Sequence, residues 1–399
     1  MKYNFDTYIE RHNTGAYKYD ALTTEFGNPN AIPMWIADME FACPPFIVDA
    51  LKKRLEHPIY GYTTTPREMW EHIQWWLQHR HGWEVEREWL TFIPGIVRGI
   101  AYVVNIFTQP GDRIMVQPPV YHPFHNVPRA YGREIVFSPL VERPSGLYDM
   151  DFEAFERDIQ GCRLFILCNP HNPGGVCWSP EVLRRVAEIC TRQGVLVISD
   201  EIHADMTLFG HRHTPFACVS PEAAACSITF GAPSKVFNMP GIVCSYCVVP
   251  NAEIRQKFFG WLAPAEFDEP SIMSGIATAA AYTPEGDEWR KQMLEYVEQN
   301  ILFLEDYCRE HFTRTEADGS TCQLIRPIRP EASFPVWLDC RGLGLSQPEL
   351  VNLFIHRANL VLNDGTMFGP GGEGHLRLNV ACPRATLQTA LDQLREALK

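Results

Sequence analysis

Short apolar runs alternate with segments of helical periodicity between residues 90 and 249, and this alternation restricts the possible folds more than any other feature. Nearly continuous apolar strands separated by helices are typical of a mostly parallel sheet that is covered on both faces. The clearest helical segment follows Ser179, with Pro180 in its first turn and Gly194 past its end. We therefore predict a large α/β domain around a mostly parallel seven-stranded sheet, with strands at 90–93, 113–116, 133–137, 164–168, 195–199, 227–230 and 242–249.

The pattern changes after residue 285. A long helical stretch at 288–311 is followed by a strand-like run at 333–338, and Ser346 and Glu349 form the capping-box pattern that begins another helix. A strand-like run at 360–363 and a final helix from Arg384 follow. We expect a smaller α+β domain of residues 1–45 and 286–399, packed against a large domain of residues 46–285.

Charge and composition restrict the partners and the compartment. The 399 residues have a formal net charge of −13, whereas nucleic acids and anionic membranes attract clustered positive charge. The N-terminal residues lack the apolar core of a signal peptide, and no stretch approaches the ~18 apolar residues of a membrane span. The thirteen cysteines are an odd number scattered through apolar runs, as is expected of reduced thiols. These features predict a cytoplasmic protein that binds neither nucleic acid nor membrane.

Three pairs of histidines are the main candidates for metal ligands. A structural zinc site needs four ligands and a catalytic site three, and no histidine here has a cysteine or carboxylate partner at the required spacing. We therefore expect no metal, and we expect most of these side chains to lie at the surface: His79, His81, His122, His125, His211 and His213.

One lysine and one aspartate follow two of the predicted strands. Lys235 lies in the loop after 227–230, and Asp200 comes directly after 195–199. Because parallel strands present their carboxyl ends at one edge of the sheet, both side chains are expected to face the same crevice. A poorly hydrated lysine loses its proton readily, and the neutral amine can form a Schiff base with a carbonyl. This pair suits a pyridine cofactor that bears an aldehyde, namely pyridoxal 5′-phosphate (PLP).

Other loops supply groups that such a cofactor needs. A phosphate binds backbone amides at a helix N-terminus, and Gly95 precedes a helical segment that begins with Ile96 and Val97. In the loop at 169–178, Asn172 is placed to donate a hydrogen bond to a phenolate oxygen. Tyr121 also follows a strand, where its ring can lie against a flat heterocycle.

Three motifs occur in one order and spacing: Asn-Pro-His-Asn-Pro-x-Gly at 169–175, Ser-Asp-Glu-Ile-His at 199–203, and Ala-Pro-Ser-Lys-x-Phe-Asn at 232–238. With them, the chain resembles the fold-type I PLP enzymes, which have an aspartate-aminotransferase-like fold. More narrowly, it is similar to their cystathionine β-lyase and cysteine-S-conjugate lyase branch, the MalY/PatB and cystalysin-like proteins. The similarity covers nearly the whole chain, from 35–41 to 376–384.

The resemblance implies a role for each matching residue. The implied catalytic residues are Lys235 as the Schiff-base lysine, Asp200 as the partner of the ring nitrogen, and Tyr121. The implied cofactor-binding residues are Ile96, Val97, Tyr121, Asn172, Asp200, His203, Ser234, Lys235 and, from a partner subunit, Tyr62. The implied substrate-binding residues are Arg377, which would clamp the α-carboxylate, Ala37 and Asn172.

The function implied is a PLP-dependent carbon–sulfur β-lyase. It would act as a homodimer with a shared active site and release a thiol, pyruvate and ammonia from an S-substituted cysteine or from cystathionine. Val243 stands where many aminotransferases of this fold have a phosphate-binding arginine, which fits the lyase branch. Two alternatives stay open: an aminotransferase, which uses the same residues, and a regulatory protein on the same fold.

Overall fold

The structure, a computed structural model, describes residues 3–315 and 318–399. Its largest element is a seven-stranded sheet, which confirms the prediction. The strand at 245–248 runs antiparallel to both of its neighbours, and the other pairs in this sheet are parallel. In spatial order the strands are Leu90–Ile93, Ser245–Val248, Ser227–Gly231, Leu196–Asp200, Cys162–Cys168, Arg113–Val116 and Glu134–Phe137.

Both faces of the sheet are buried, which explains the continuous apolar runs. Along one central strand, Leu164 and Ile166 pack on one face, and Phe165 and Leu167 pack on the other. Helices Ile96–Phe107 and Ala252–Leu262 cover the first face, and Pro180–Gln193 covers the second. The Ser179 side chain caps the last of these helices by accepting a hydrogen bond from the backbone N–H of Val182, as the sequence predicts.

A second, smaller sheet comes from the C-terminal part of the chain. Its antiparallel strands, in spatial order, are Arg326–Ile328, Pro335–Asp339, His375–Asn379 and Asn363–Asp364. The strand Ile32–Pro33 pairs in parallel with Leu360–Val361, so the N-terminal arm joins this part of the molecule. Two further strand pairs are Val141–Glu142 with Tyr148–Asp149, and Thr313–Thr315 with Thr321–Gln323. The domain boundaries at 45/46 and 285/286 stay a prediction.

The long helix spans Pro284–His311 and begins four residues before the predicted start. Its start is set by Thr283, whose side chain accepts a hydrogen bond from the N–H of Gly286, and by Pro284 in the first turn. The predicted capping box at Ser346 is confirmed. The remaining helices are Tyr17–Asp20, Leu22–Phe26, Pro45–Leu55, Arg67–His81, Pro123–Ala130, Phe152–Asp158, Pro221–Ala225, Ile272–Ala281, Gln347–Asn352 with its π-helical continuation Leu353–Arg357, and Arg384–Ala397.

The structure corrects two expectations. The strand predicted at 242–249 is limited to Ser245–Val248, because Pro240–Ile242 forms a 3₁₀ turn before it. The histidine expectation was wrong for His81, His125 and His213, whose rings are buried. His81 lies 3.1 Å from Asp205 and His213 lies 2.8 Å from Glu201, and these carboxylates are too far away in the sequence for spacing to indicate them.

All thirteen cysteines are free thiols. Within residues 3–315 and 318–399, no three His, Cys, Asp or Glu side chains are grouped closely enough to hold a metal ion. A helix with the length and apolar character needed to cross a membrane is also absent from these residues.

Candidate active site

A cavity of about 680 Å³ lies at the carboxyl ends of the central strands. Asp200, the last residue of its strand, and Lys235, in the loop after the next strand, both line it. The N-terminus of helix Ile96–Phe107 forms a second side, and Arg377 on the strand His375–Asn379 forms a third. The cavity is therefore lined by residues from both sheets.

Lys235 is half-buried, and its Nζ donates a hydrogen bond of 2.8 Å to the backbone carbonyl of Ala37. Burial lowers the pKa of Lys235 to about 8, against the charge of Asp38, which raises it. About a tenth of this side chain is thus the neutral amine at pH 7, far more than for a free lysine, and this is the form that reacts with an aldehyde.

Asp200 is a buried carboxyl, and among the groups that act on its pKa the charge of Lys235 has the smallest effect. Its Oδ1 accepts a hydrogen bond of 3.1 Å from the N–H of Ile202, and no ion pair reaches it within the part of the chain that the structure describes. Burial raises the pKa of Asp200 to about 7, and the neighbouring charge of Glu201 adds to this rise. A protonated ring nitrogen at this carboxyl would supply the missing positive charge.

Arg377 is buried, and its hydrogen-bond acceptors among the described residues are all neutral. Its NH1 donates to Asn172 Oδ1 at 3.0 Å, and its NH2 donates to Asn363 Oδ1 at 2.6 Å and to the Trp35 carbonyl at 3.1 Å. Burial lowers the pKa of Arg377 to about 10. A guanidinium with no carboxylate partner inside a cavity is suited to bind a carboxylate from a ligand.

The helix N-terminus presents free backbone amides to the cavity. Gly95 precedes the helix with φ +108°, a conformation that favours glycine, and no side chain caps this end. Ile96, Val97 and Ser234 line the cavity at this side. Uncapped amides at the start of a twelve-residue helix form an anion site of the kind that binds phosphate.

His203 and Tyr121 complete the cavity wall. His203 is buried, and its Nδ1 lies 2.8 Å from the Ser333 hydroxyl. Burial lowers the pKa of His203 to about 3, and the charge of Lys235 adds to this fall, so the imidazole is neutral. The ring of Tyr121 packs against Phe124, and its backbone N–H donates to the Asn172 carbonyl at 3.1 Å.

The cavity brings together all but one of the residues that the sequence indicates. These are Ala37, Ile96, Val97, Tyr121, Asn172, Asp200, His203, Ser234, Lys235 and Arg377. Tyr62 does not line the cavity of its own chain, and its side chain is fully exposed. Sequence reasoning missed Asn363, which binds Arg377 and pairs with it across the small sheet. The sequence does contain a signal for Asn363, because it is a single polar residue at the end of the apolar run 360–363.

These features fit PLP. The cavity is within the range of about 300–1,000 Å³ that is usual for small-molecule sites. It has an amine of lowered pKa, a buried carboxyl without a cation, and a helix N-terminus without a cap. These three groups match the aldehyde, the ring nitrogen and the phosphate of the cofactor. The fold and the cavity together define a PLP-dependent enzyme of fold type I.

Comparison with known proteins places the chain more narrowly. The model of the family "Aminotransferase class I and II" matches residues 31–394, and the chain belongs to this family. It is 42% identical over 397 residues to the cystathionine beta-lyase PatB of Bacillus subtilis (strain 168), covering 99% of this chain and 100% of PatB.

Solved structures share the fold. A PLP-bound protein of Clostridium difficile 630, described as a putative aminotransferase, superposes with a TM-score of 0.95 at 38% identity, covering all of both chains. Cystalysin of Treponema denticola, which contains PLP, superposes with a TM-score of 0.92 at 29% identity, covering 100% of this chain and 99% of cystalysin. These likenesses confirm the predicted fold, the predicted branch of the family and the cofactor PLP.

Proposed function

We propose that this protein is a PLP-dependent carbon–sulfur β-lyase that cleaves cystathionine or another S-substituted cysteine into a thiol, pyruvate and ammonia. The cavity is suited to an amino-acid substrate because Arg377 can bind a carboxylate and Lys235 can exchange a proton. The observation that supports the lyase reaction is the 42% identity over the full chain with PatB, a cystathionine beta-lyase.

We assign Arg377 as the residue that binds the α-carboxylate of the substrate. Its present partners are neutral, so a carboxylate that replaces one of them adds a charge-assisted hydrogen bond in a buried site. Asn172 holds the guanidinium in place from one side. Ala37, two residues after Trp35, also lines the cavity and is assigned to the same end of the substrate.

The cofactor is assigned to the remaining groups of the cavity. Asp200 would hold the protonated ring nitrogen, Asn172 the phenolate oxygen, and Tyr121 the flat face of the ring, with His203 close by. The amides of Ile96 and Val97 and the hydroxyl of Ser234 would hold the phosphate. When bound, PLP withdraws electrons from the substrate Cα and so makes its proton acidic.

Lys235 is assigned as the general base. With a pKa of about 8, the amine is close to the operating pH, where a base is most effective. It takes the proton from Cα while the Cβ–S bond breaks and the electron pair leaves with sulfur. The thiolate then takes a proton, and the unsaturated amine that is released hydrolyses in water to pyruvate and ammonia.

One assay separates the lyase from an aminotransferase, which the family name makes the second candidate. We expect purified protein to form pyruvate and thiol in equal amounts from cystathionine, with no 2-oxo acid added. Product formation that requires a 2-oxo acid acceptor would instead establish the aminotransferase. S-substituted cysteines with different leaving groups then rank the preferred thiols.

We further propose a homodimer in which Tyr62 completes the site of the partner. The Tyr62 side chain is fully exposed and does not line the cavity of its own chain, although the family resemblance assigns it to the phosphate of the cofactor. Mixing Tyr62→Ala protein with Lys235→Ala protein tests this arrangement. Each hybrid dimer would have one site with both residues intact, so activity above that of either variant is expected. No recovery after subunit exchange would contradict a shared site.

A further inference from the structure

Residues 35–41, here called the strap, cross the cavity and connect it to distant parts of the chain. Their carbonyls accept hydrogen bonds from both reactive cations, from Arg377 at Trp35 and from Lys235 at Ala37. Asn379 donates to the carbonyls of Ile36 and Asp38, each at 2.7 Å, and so holds the strap to the small sheet. The position of the strap therefore fixes the acceptor that Lys235 contacts.

The strap is also held by a partly buried group of four charges, here called the arm cluster: Arg11, Lys18, Asp38 and Glu40. Arg11 lies 2.7 Å from Asp38 Oδ2 and 2.9 Å from Glu40 Oε1. Lys18 lies 2.7 Å from Glu40 and 3.4 Å from Asp38 Oδ1, and it donates to the Asp38 carbonyl at 3.1 Å. Two cations balance two carboxylates, and the Lys18 side chain is only 1% exposed.

The two carboxylates of this cluster differ in their relation to the cavity. Asp38 directly follows Ala37, the residue whose carbonyl accepts the Lys235 hydrogen bond, and the Asp38 Oδ1 atom is buried without a hydrogen-bond donor. Glu40 points to the other side, where its Oε2 accepts a hydrogen bond from the Tyr19 hydroxyl at 2.8 Å. Only Asp38 is thus both in the cluster and adjacent to the contact with Lys235.

We propose that Asp38 is a positioning residue for Lys235, which sets the place of the Ala37 carbonyl and supplies negative charge beside the amine. Burial would raise the pKa of Asp38, but the charges of Lys18 and Arg11 lower it, so the carboxylate stays ionised. Asp38 and Asp200 favour the protonated form of Lys235, while Arg377 and Lys18 oppose it. His203, which also faces Lys235, is neutral.

This inference rests on the proposed role of Lys235 as base. A buried base must still be basic enough to take a proton from carbon, and burial alone works against this. The charge of Asp38 offsets part of that effect. The Ala37 carbonyl accepts one N–H of the amine and thereby orients the rest of the group towards the cavity.

Asp38→Asn removes the charge and keeps the size of the side chain. We expect it to lower the pKa of Lys235 by about 1 unit. Two readouts detect the loss of this charge without turnover, one on the nitrogen joined to the cofactor and one on the free amine. In the holoenzyme, visible absorbance of the bound cofactor is titrated against pH, since it reports the protonation of the Lys235 nitrogen joined to it. In the full chain freed of cofactor, the rate of Lys235 acetylation by acetic anhydride is followed by mass spectrometry across the same pH range.

Glu40→Gln is the matched control, since it removes the same charge from the same cluster. Glu40 is not among the charges that act most strongly on Lys235, so its variant should shift the pKa of Lys235 much less. A shift in Asp38→Asn no larger than that in Glu40→Gln, or no shift in either, would overturn the proposal. Thermal unfolding verifies that both variants are folded. Neither readout requires thiol release. The proposal for Asp38 can therefore fail or hold independently of the lyase assignment, which the pyruvate and thiol assay tests.

Discussion

Asp200 and Asp205 lie five residues apart and are almost equally buried, at 5% and 7% exposed, yet their pKa values move in opposite directions. Burial alone would raise both. At Asp205 it is outweighed by the hydrogen bond and charge of His81 and by the charge of Arg290, so the pKa of Asp205 is lowered. Trp76 Nε1 also donates to Asp205 at 2.9 Å. Asp200 has no salt bridge in the described residues, the charge of Lys235 offsets little of the effect of burial, and the pKa rises to about 7.

The same contrast holds for two buried arginines. Arg290 binds the carboxylate of Asp287 at 2.8 Å, and Arg377 binds only neutral oxygens. Burial would raise the pKa of Asp287, but the charge of Arg290 and the hydrogen bond from Lys291 lower it to about 2. Charges that are paired within the fold are costly to separate, and charges that are left unpaired in the cavity are available to ligands. Four predictions test this division.

The largest effect is expected for Lys235→Ala. It should reduce kcat/KM for thiol release by about a thousandfold or more and abolish visible absorbance, because both the base and the attachment point are lost. Lys291→Ala, which removes a lysine paired with Asp287 at 3.1 Å, is the control and should retain activity. Retained absorbance in Lys235→Ala would contradict the assignment.

The next largest effect is a difference between Asp205 and Asp200 in their contribution to the free energy of unfolding. Asp205→Asn removes the carboxylate that accepts from Trp76 Nε1 and pairs with His81, and should lower the free energy of unfolding by roughly 3 kcal/mol. Asp200→Asn removes a carboxyl that has no cation and should not destabilise the cofactor-free protein. Urea unfolding near neutral pH measures both. Equal destabilisation by the two variants would show that the unpaired carboxyl is structural.

Arg377→Lys should raise KM by about 10- to 100-fold, because lysine keeps the charge but loses the planar fork that contacts a carboxylate with two nitrogens. Steady-state kinetics with cystathionine separates KM from kcat. A fall in kcat with an unchanged KM would place the substrate carboxylate elsewhere.

The smallest effect concerns pH. The pKa of Asp200 is raised from 3.8 to about 7 in the folded chain, so its contribution to stability is present below pH 4 and is lost as pH rises through 7. The cofactor-free protein should therefore lose roughly 2 kcal/mol of stability between about pH 5 and pH 8 from this group. Asp200→Asn should remove that part of the pH dependence, and PLP should reduce it. An unchanged slope in the variant would assign the effect to other groups.

Local signals in the sequence predicted much of the fold. The strands Leu90–Ile93 and Arg113–Val116 and the helix that begins at Ile96 lie where the pattern placed them, because apolar periodicity and caps are local. The antiparallel direction of Ser245–Val248 was not predictable, since periodicity specifies burial and not strand direction.

The candidate site was predicted from motifs, and its supporting contacts were not. Lys235, Asp200 and Arg377 come from three distant motifs that the resemblance relates to one another. The contact of Lys235 with the Ala37 carbonyl uses the backbone, which has no signature in the sequence. The partners of His81 and His213 are likewise tertiary neighbours, so the surface location expected for these rings was wrong.

The parallel pairing of Ile32–Pro33 with Leu360–Val361 joins segments from opposite ends of the chain. During synthesis, the first segment leaves the ribosome long before the second has been translated. The contacts between the strap and Asn379 also form only after Asn379 has been translated. The Ala37 carbonyl, which accepts the hydrogen bond of Lys235, therefore has no fixed position on a nascent chain. We therefore expect the lysine to become reactive only after translation of the chain is nearly complete.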